Sequence, residues 1–176
     1  MMDNVDSKKG IGGQSSNGTP KRPTDNGKLR ILISDDSRLL RKKLREELEN
    51  LNCEVTEAAN GKEAIMRDLE DEPDGVILDI VMPEVGGIEA LQVIREVSPD
   101  VPIVMLSSAG TPQKLMQTLK MGAIDFIQKP YTREQIVKAV EAIRRAKAKR
   151  QKQKVMESPK TISENEDNAG VNKENV

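Results

Sequence analysis

Short apolar runs and longer amphipathic runs alternate along the middle of the chain. The short runs predict strands at 29–34, 75–78, 103–106 and 123–127, and an alternating segment predicts an edge or half-exposed strand at 54–58. The longer runs carry apolar residues at helical spacing and predict helices at 37–50, 62–70, 88–97, 112–121 and 133–148. The predicted order is a strand followed by a helix, repeated five times along the chain.

This alternation is typical of a parallel sheet covered by helices on both faces. Right-handed crossovers limit the possible topologies, and the flavodoxin-like strand order 2-1-3-4-5 is the natural solution for five strands. We therefore predict an α/β fold, a doubly wound (βα)5 parallel sheet that forms a single domain at residues 28–148.

Each helix is expected to bury one face. In the second helix, the apolar residues predicted to face the core are Ala64, Ile65 and Leu69. In the first helix, leucines recur at helical spacing and are predicted to face the core, while charged residues such as Arg41 are predicted to lie on the surface.

The two ends of the chain are too polar to build a core. Residues 1–27 are rich in Ser, Asn, Gly, Lys and Asp, and residues 149–176 are rich in charged residues and Asn. Such segments bury too little apolar surface to offset chain entropy, so we predict that both are disordered tails. We interpret the cations at 144–154 as a solvated helix end, with contact to an acidic partner or nucleic acid as the alternative.

Composition excludes several classes of function. The net charge is −1, Trp is absent, and Phe and Tyr occur once each, so nucleic-acid binding is not expected. Cys53 is the single cysteine, which excludes an internal disulfide and a multi-cysteine zinc site. No long apolar stretch or signal-peptide core is present, so we expect a soluble cytoplasmic protein without membrane insertion. Because the chain has no histidine, any phosphohistidine that donates to it must belong to another molecule.

Polar residues stand where the predicted strands end. Asp35 and Asp36 follow the first strand, Asp79 the third, Ser107 the fourth and Lys129 the fifth. Because the carboxyl ends of parallel strands share one edge, these side chains should converge there. Three carboxylates repel one another unless a cation joins them, and oxygen ligands with room for water suit Mg²⁺. A helix cap or a turn would explain any one of these residues, but the joint pattern favours a metal site beside a phosphoryl group.

Asp79 is the best candidate nucleophile of this set, because it ends the central apolar run and precedes a loop at 80–87 that could open to a donor. A carboxylate can form an acyl phosphate, and phosphoryl transfer needs positioning and charge neutralisation. Lys129 would supply a fixed ammonium, and Ser107 a hydrogen bond to a phosphoryl oxygen. The Lys129–Pro130 bond is a candidate for the cis form.

The chain resembles the receiver domain of bacterial response regulators, in particular those of the CheY type. The motifs that carry the resemblance are Asp35-Asp36, LDIVMPEVGG around Asp79, PIVMLSSAG around Ser107 and DFIQKPYT around Lys129. The resemblance covers residues 28–145.

The resemblance implies a role for each of these residues. Asp79 would accept a phosphoryl group from a histidine kinase, and Ser107 and Lys129 would bind the phosphoryl oxygens. The Mg²⁺ ligands would be Asp36, Asp79 and the backbone carbonyl of Val81, with Asp35 acting through a bound water. Movement of Ser107 toward the phosphoryl group would let Phe126 turn inward, which is the implied conformational switch.

Two positions are implied to tune the lifetime of the phosphoryl group, Val81 and Ala109. Both side chains are apolar, so neither can position an attacking water by a hydrogen bond. We therefore expect a comparatively long-lived aspartyl phosphate.

The function implied is that of a single-domain response regulator of a two-component phosphorelay. It would signal by phosphorylation-dependent protein binding through its fourth helix, fifth strand and fifth helix, with chemotaxis as the favoured pathway. It would not be a conventional enzyme, although it would catalyse its own phosphotransfer and autodephosphorylation. One alternative is a relay intermediate that passes the group to a histidine phosphotransferase. Another is a Mg²⁺-dependent phosphatase with an aspartyl nucleophile, which is disfavoured because Val81 stands where such enzymes carry a second acid.

Overall fold

The computed structural model describes residues 27–108 and 111–157. Strands and helices alternate throughout these residues. In chain order they are β1 (Leu29–Ser34), α1 (Arg38–Asn50), β2 (Cys53–Ala58), α2 (Gly61–Asp71), β3 (Gly75–Asp79), α3 (Gly87–Val97), β4 (Ile103–Ser107), α4 (Pro112–Lys120), β5 (Asp125–Gln128) and α5 (Arg133–Glu157).

The strands form one parallel sheet in the order β2-β1-β3-β4-β5. Ser34 at the end of β1 lies opposite Leu78 of β3, and Asp79 at the end of β3 lies opposite Leu106 of β4. The carboxyl ends of neighbouring strands are therefore level with one another. The predicted (βα)5 fold and strand order are confirmed.

Apolar clusters cover both faces of the sheet. Ile33 of β1 belongs to a cluster that includes Leu48 of α1 and Ile136 of α5, whereas the adjacent Leu32 belongs to a cluster that includes Leu91 of α3. Successive strand residues point to opposite faces, so the apolar run Ile31–Ile33 in β1 supplies both layers. The sheet edge that carries the polar residues is thus held between two packed layers.

The inner face of α2 differs from the prediction. Leu69 is 55% exposed, whereas the neighbouring Asp68 is buried. The Ser98 hydroxyl at the end of α3 donates a hydrogen bond of 2.6 Å to Asp68 Oδ2, which compensates part of the cost of burying this carboxylate. The prediction that Leu69 faces the core is wrong. The helix turns Asp68 inward instead, because a distant residue, Ser98, donates a hydrogen bond to it there.

The last helix also extends further than predicted. Its apolar face ends at Ile143, but α5 continues beyond Ala148 to Glu157. Residues 144–154 are Ala, Lys, Arg and Gln, which are strong helix formers and contain no Gly or Pro. The helix therefore runs into the first residues of the segment 149–176 that is predicted to be a tail. The disorder predicted for residues 1–26 and 158–176 concerns positions outside the described ones.

Membrane insertion was not expected from the sequence. Among the described residues, no helix combines the length and the apolar character needed to cross a bilayer.

Candidate functional site

Three aspartates meet at the carboxyl edge of the sheet. Asp35 follows β1, Asp36 is the next residue, and Asp79 ends the neighbouring strand β3. One carboxylate oxygen from each residue lies within 4.8 Å of the others. Asp35 and Asp79 are buried, whereas Asp36 is exposed, so solvent reaches the cluster from the side of Asp36.

Lys129 reaches this cluster from the end of β5. Its Nζ lies 2.5 Å from Asp35 Oδ2 and 2.9 Å from Asp79 Oδ2. Its backbone N–H donates to the Ser107 carbonyl at 2.8 Å, which continues the pairing of β5 with β4 to the residue that carries the ammonium. The Lys129–Pro130 bond is cis. The ammonium is therefore held between the two buried carboxylates.

Burial and charge shift the acid–base properties of this pair. Burial raises the pKa of Asp79 above the ordinary aspartate value, the charge of Asp35 adds to the rise, and Lys129 opposes it. Burial by itself would lower the pKa of Lys129, but its hydrogen bonds to Asp35 and Asp79 outweigh that effect and raise the pKa. The raised pKa keeps Lys129 cationic at neutral pH, and a further positive charge would favour the ionised form of Asp79.

Asp35 is fixed through each of its polar groups. Its N–H donates to the Ala58 carbonyl at 3.3 Å, and its Oδ1 accepts from the Ser37 N–H at 2.8 Å. Its backbone carbonyl accepts from Arg41 Nη1 at 2.6 Å. Arg41 was expected on the surface, yet its side chain is only 13% exposed. Sequence periodicity missed this residue, because a charged side chain that folds back onto the turn before its own helix leaves no pattern.

The loop after Asp79 approaches its backbone closely. The Gly87 N–H donates to the Ile80 carbonyl at 2.9 Å. A Cβ on Gly87 would lie 1.8 Å from the Asp79 carbonyl oxygen, so only glycine fits there without a shift of the chain. The Val81 N–H points to Asp79 Oδ1 at 3.4 Å, and Val81 is 51% exposed. Gly87 was also missed from the sequence, since a glycine that begins a helix does not show what it contacts.

The two residues of the predicted switch lie on neighbouring strands. Ser107 ends β4 and is fully buried, and it pairs with Gln128 of β5. Phe126 stands two positions before Gln128 in the same strand, so it projects to the same face of the sheet as Ser107. Phe126 is partly buried against the apolar cluster that contains Leu91. Ala109 lies outside the described residues.

The donor set at this edge fits a hard divalent cation. Carboxylate oxygens are the ligands that Mg²⁺ takes from proteins, and the exposed side at Asp36 leaves room for the waters that Mg²⁺ retains. The charges agree with this choice, because three clustered carboxylates exceed the single ammonium of Lys129.

A cleft of about 680 Å³ opens beside Lys129 between α1 and the turn that follows β5. Its apolar lining comes from Leu40 of α1 and from Pro130 and Tyr131 of the turn. Its charged lining contains groups of both signs, Lys43, Glu46, Glu47 and Arg133. Burial raises the pKa of Tyr131 to about 12, with smaller contributions from Glu47 and Asp35. The edge that carries the acids therefore borders a concave surface large enough for a protein side chain.

Comparisons with known proteins agree with this geometry. The family model described as the response regulator receiver domain matches residues 31–141. The chemotaxis protein CheY of Thermotoga maritima is 36% identical over 115 residues, which are 65% of this chain and 96% of that protein. The transcriptional regulatory protein ResD of Bacillus subtilis is 39% identical over 116 residues, 66% of this chain and 48% of that protein.

A solved structure shares the same fold. It is the CheX-CheY-BeF3-Mg²⁺ complex from Borrelia burgdorferi, and its matching chain is 31% identical with a TM-score of 0.63. The match covers 65% of this chain and 88% of that one. This chain belongs to the response regulator receiver domain family and is CheY-like. Receiver domains are signalling proteins.

Proposed function

We propose that this chain accepts a phosphoryl group on Asp79 from the phosphohistidine of a histidine kinase and then binds a downstream protein of a chemotaxis pathway. The observation that carries the proposal is the position of Lys129. Its ammonium lies against the carboxylates of both Asp79 and Asp35, at the edge where Asp36 completes an acidic cluster.

The transfer step involves only two reactants, the Asp79 carboxylate and the phosphohistidine of the kinase. A carboxylate oxygen of Asp79 attacks the phosphorus of the donor, the P–N bond breaks, and its electron pair returns to the imidazole of the kinase. The product is an acyl phosphate on Asp79. When the phosphoryl group is later lost, a water attacks the phosphorus and the Asp79 carboxylate leaves.

The residues around Asp79 have complementary roles in this step. Asp36, Asp79 and the Val81 carbonyl would hold Mg²⁺, and Asp35 would act through a metal-bound water. When bound, Mg²⁺ supplies the positive charge that a trigonal phosphoryl group needs. Lys129 and the Ser107 hydroxyl would bind phosphoryl oxygens at the opposite side. Lys129 would lose its contact with Asp79 Oδ2 as it turns to the new oxygens.

The output surface proposed is the face formed by α4, β5 and α5. Phe126 lies in β5 on the same face of the sheet as Ser107, so a movement of Ser107 toward the phosphoryl group would reach this surface directly. Met116 and Leu119 of α4 and Ile124 before β5 are exposed apolar side chains there. Exposed apolar groups of this kind are typical of protein contacts.

Two similarities support chemotaxis as the pathway. The Thermotoga maritima relative is a chemotaxis protein that this chain covers almost completely, and the Borrelia burgdorferi structure is a complex of CheY with CheX. The ResD relative shows that receivers of similar identity also occur in transcriptional regulators. The experiment must therefore test the partner as well as the phosphoryl transfer.

The transfer is tested with a purified histidine kinase that carries radiolabelled phosphohistidine. We expect label to move to the wild-type chain only when Mg²⁺ is present, and to be absent from Asp79→Asn. Asp100→Asn, at an exposed position in the turn before β4, is the matched control and should be labelled like the wild type. Label retained by Asp79→Asn would refute the acceptor assignment.

The output is tested by offering the labelled chain two purified partners, a CheX-type protein and a histidine phosphotransferase. We expect phosphorylation to increase binding to the CheX-type protein. Transfer of the label to the phosphotransferase, without that binding, would replace chemotaxis by the relay function.

A further inference from the structure

Arg41 makes a contact that helix stability does not explain. It lies near the amino end of α1, where the helix dipole disfavours a cation, and α1 has no acidic residue in its first turn. Its guanidinium nevertheless folds back over that end and donates from Nη1 to the backbone carbonyl of Asp35. This contact with the backbone of the acidic turn points to a role for Arg41 in that turn.

The guanidinium is held at a second point. Arg41 Nε lies 3.2 Å from Oε2 of Glu57, which is in β2 opposite Ile33 of β1. Arg45, one turn further along α1, contacts the other oxygen of Glu57 at 2.8 Å. The planar fork of Arg41 therefore has a fixed orientation, with one arm on Glu57 and the other on Asp35.

The Asp35 carbonyl belongs to the peptide plane that joins Asp35 to Asp36. Because a peptide bond is planar, fixing this carbonyl also fixes the direction in which the Asp36 Cα leaves. The buried Asp35 is also held by further hydrogen bonds. Asp36, by contrast, is exposed and lies on the solvent side of the cluster. Asp36 is therefore the member of the cluster whose placement depends most on this peptide.

We infer that Arg41 is a positioning residue that orients the Asp35–Asp36 peptide, so that the Asp36 carboxylate is placed for Mg²⁺ binding. This inference rests on the proposed function, because it assigns Mg²⁺ to the acidic cluster. Groups that orient metal ligands from outside the ligand set generally change metal affinity about 10–100-fold when they are removed.

The positive charge of Arg41 makes it possible to distinguish a positioning role from a purely electrostatic one by the direction in which Mg²⁺ affinity changes. If Arg41 acted only through its charge, its removal would strengthen Mg²⁺ binding, since a cation beside a cation site is repulsive. If it orients Asp36, its removal must weaken binding. The two roles therefore predict opposite changes for Arg41→Ala.

The experiment is calorimetric titration of Mg²⁺ into the full chain without any phosphodonor. We expect Arg41→Ala to weaken Mg²⁺ binding about 10-fold. Arg41→Lys keeps the charge but loses the fork, and it should also weaken binding. If Arg41→Ala does not fold, Arg41→Lys tests the inference in its place. Arg45→Ala is the matched control, because it removes a Glu57 partner that does not contact Asp35, and it should leave the affinity essentially unchanged.

A second readout separates positioning from damage to the site. With a small-molecule acyl phosphate as donor, Arg41→Ala should need more Mg²⁺ for half-maximal labelling but should reach the wild-type rate at saturation. Unchanged or tighter Mg²⁺ binding by Arg41→Ala and Arg41→Lys would overturn the inference, and so would equal weakening by Arg45→Ala. A wild-type chain that binds Mg²⁺ but takes no label would refute the proposed function and leave the calorimetric test of Arg41 intact.

Discussion

Lys129 places its Nζ 2.9 Å from Oδ2 of Asp79 and 2.5 Å from Oδ2 of Asp35. One buried ammonium thus faces two buried carboxylates, with the third carboxylate of the cluster, Asp36, on the open side. The ammonium therefore neutralises only part of the charge at this edge. The remaining negative charge is what a divalent cation would compensate.

Replacement of Lys129 should make the stability of the protein depend on Mg²⁺. Breaking a buried ion pair from one side generally costs about 3–5 kcal/mol, because it leaves charge without compensation. We expect Lys129→Met to lower the free energy of unfolding by about 3 kcal/mol without divalent ions, and Mg²⁺ to recover much of that loss. Urea unfolding followed by circular dichroism, with and without Mg²⁺, measures both values.

Lys147→Met is the matched control for this variant. Lys147 Nζ lies 2.9 Å from Asp74 Oδ2, at the opposite end of the sheet. Its removal also breaks a salt bridge but leaves the acidic cluster intact. Equal Mg²⁺ dependence in the two variants would show that the cluster is not the source of the effect.

Asp79→Asn should change how stability depends on pH. Burial, the largest influence, raises the pKa of Asp79 in the folded state, so Asp79 favours folding in its protonated form. That stability is fully present below the unfolded pKa and is lost as pH rises through the folded pKa. Asparagine does not titrate, so Asp79→Asn should gain stability relative to the wild type as the pH rises above about 4 in chelator. A stability difference that does not grow with pH in urea unfolding would contradict this direction.

The order of elements and the strand-end residues were predictable because both follow from local rules. Apolar runs of strand length alternate with helical periodicity, and parallel strands must share one carboxyl edge. The sequence alone therefore predicts that Asp35, Asp79 and Lys129 lie close together. Their contacts in the structure follow that expectation.

The remaining features depend on contacts between distant segments. Asp68 is buried in place of Leu69 because Ser98 of another helix donates to it. Arg41 leaves the surface because the Asp35 carbonyl and Glu57 both accept from it. The end of α5 was missed for a different reason, since residues 144–157 continue the helix by intrinsic propensity after the apolar face has ended.

Gly87→Ala should disturb the acceptor residue from behind. The added methyl carbon would lie 1.8 Å from the Asp79 carbonyl oxygen, which is backbone and cannot rotate away. We expect a loss of about 1–3 kcal/mol in the free energy of unfolding, together with slower phosphorylation by a small-molecule donor. Thermal unfolding and the labelling rate measure the two effects.

The adjacent Gly86 provides the control for this substitution. A Cβ at Gly86 would lie 3.6 Å from the Ile80 carbonyl oxygen, an ordinary contact. Gly86→Ala should therefore cost much less, chiefly through its position as the N-cap of α3. If both alanine variants behave alike, the close approach of Gly87 to Asp79 is not what matters.

Val81→Asn should shorten the lifetime of the phosphorylated form. Val81 is exposed beside Asp79 and its apolar side chain cannot hydrogen-bond a water, whereas asparagine could orient one toward the phosphorus. We expect loss of label to be several-fold faster in Val81→Asn than in the wild type. Wild-type decay that is as fast as that of the variant would contradict the expected long lifetime.

The identity of the phosphorylated residue tests the central proposal most directly. The chain would be treated with a small-molecule acyl phosphate as donor and with Mg²⁺. The aspartyl phosphate formed on the protein would be trapped by borohydride reduction, and the modified peptide would be sequenced by mass spectrometry. We expect one modified residue, Asp79, and no modification when a chelator replaces Mg²⁺. Modification at another residue, or at Asp79 without any divalent ion, would contradict the site described.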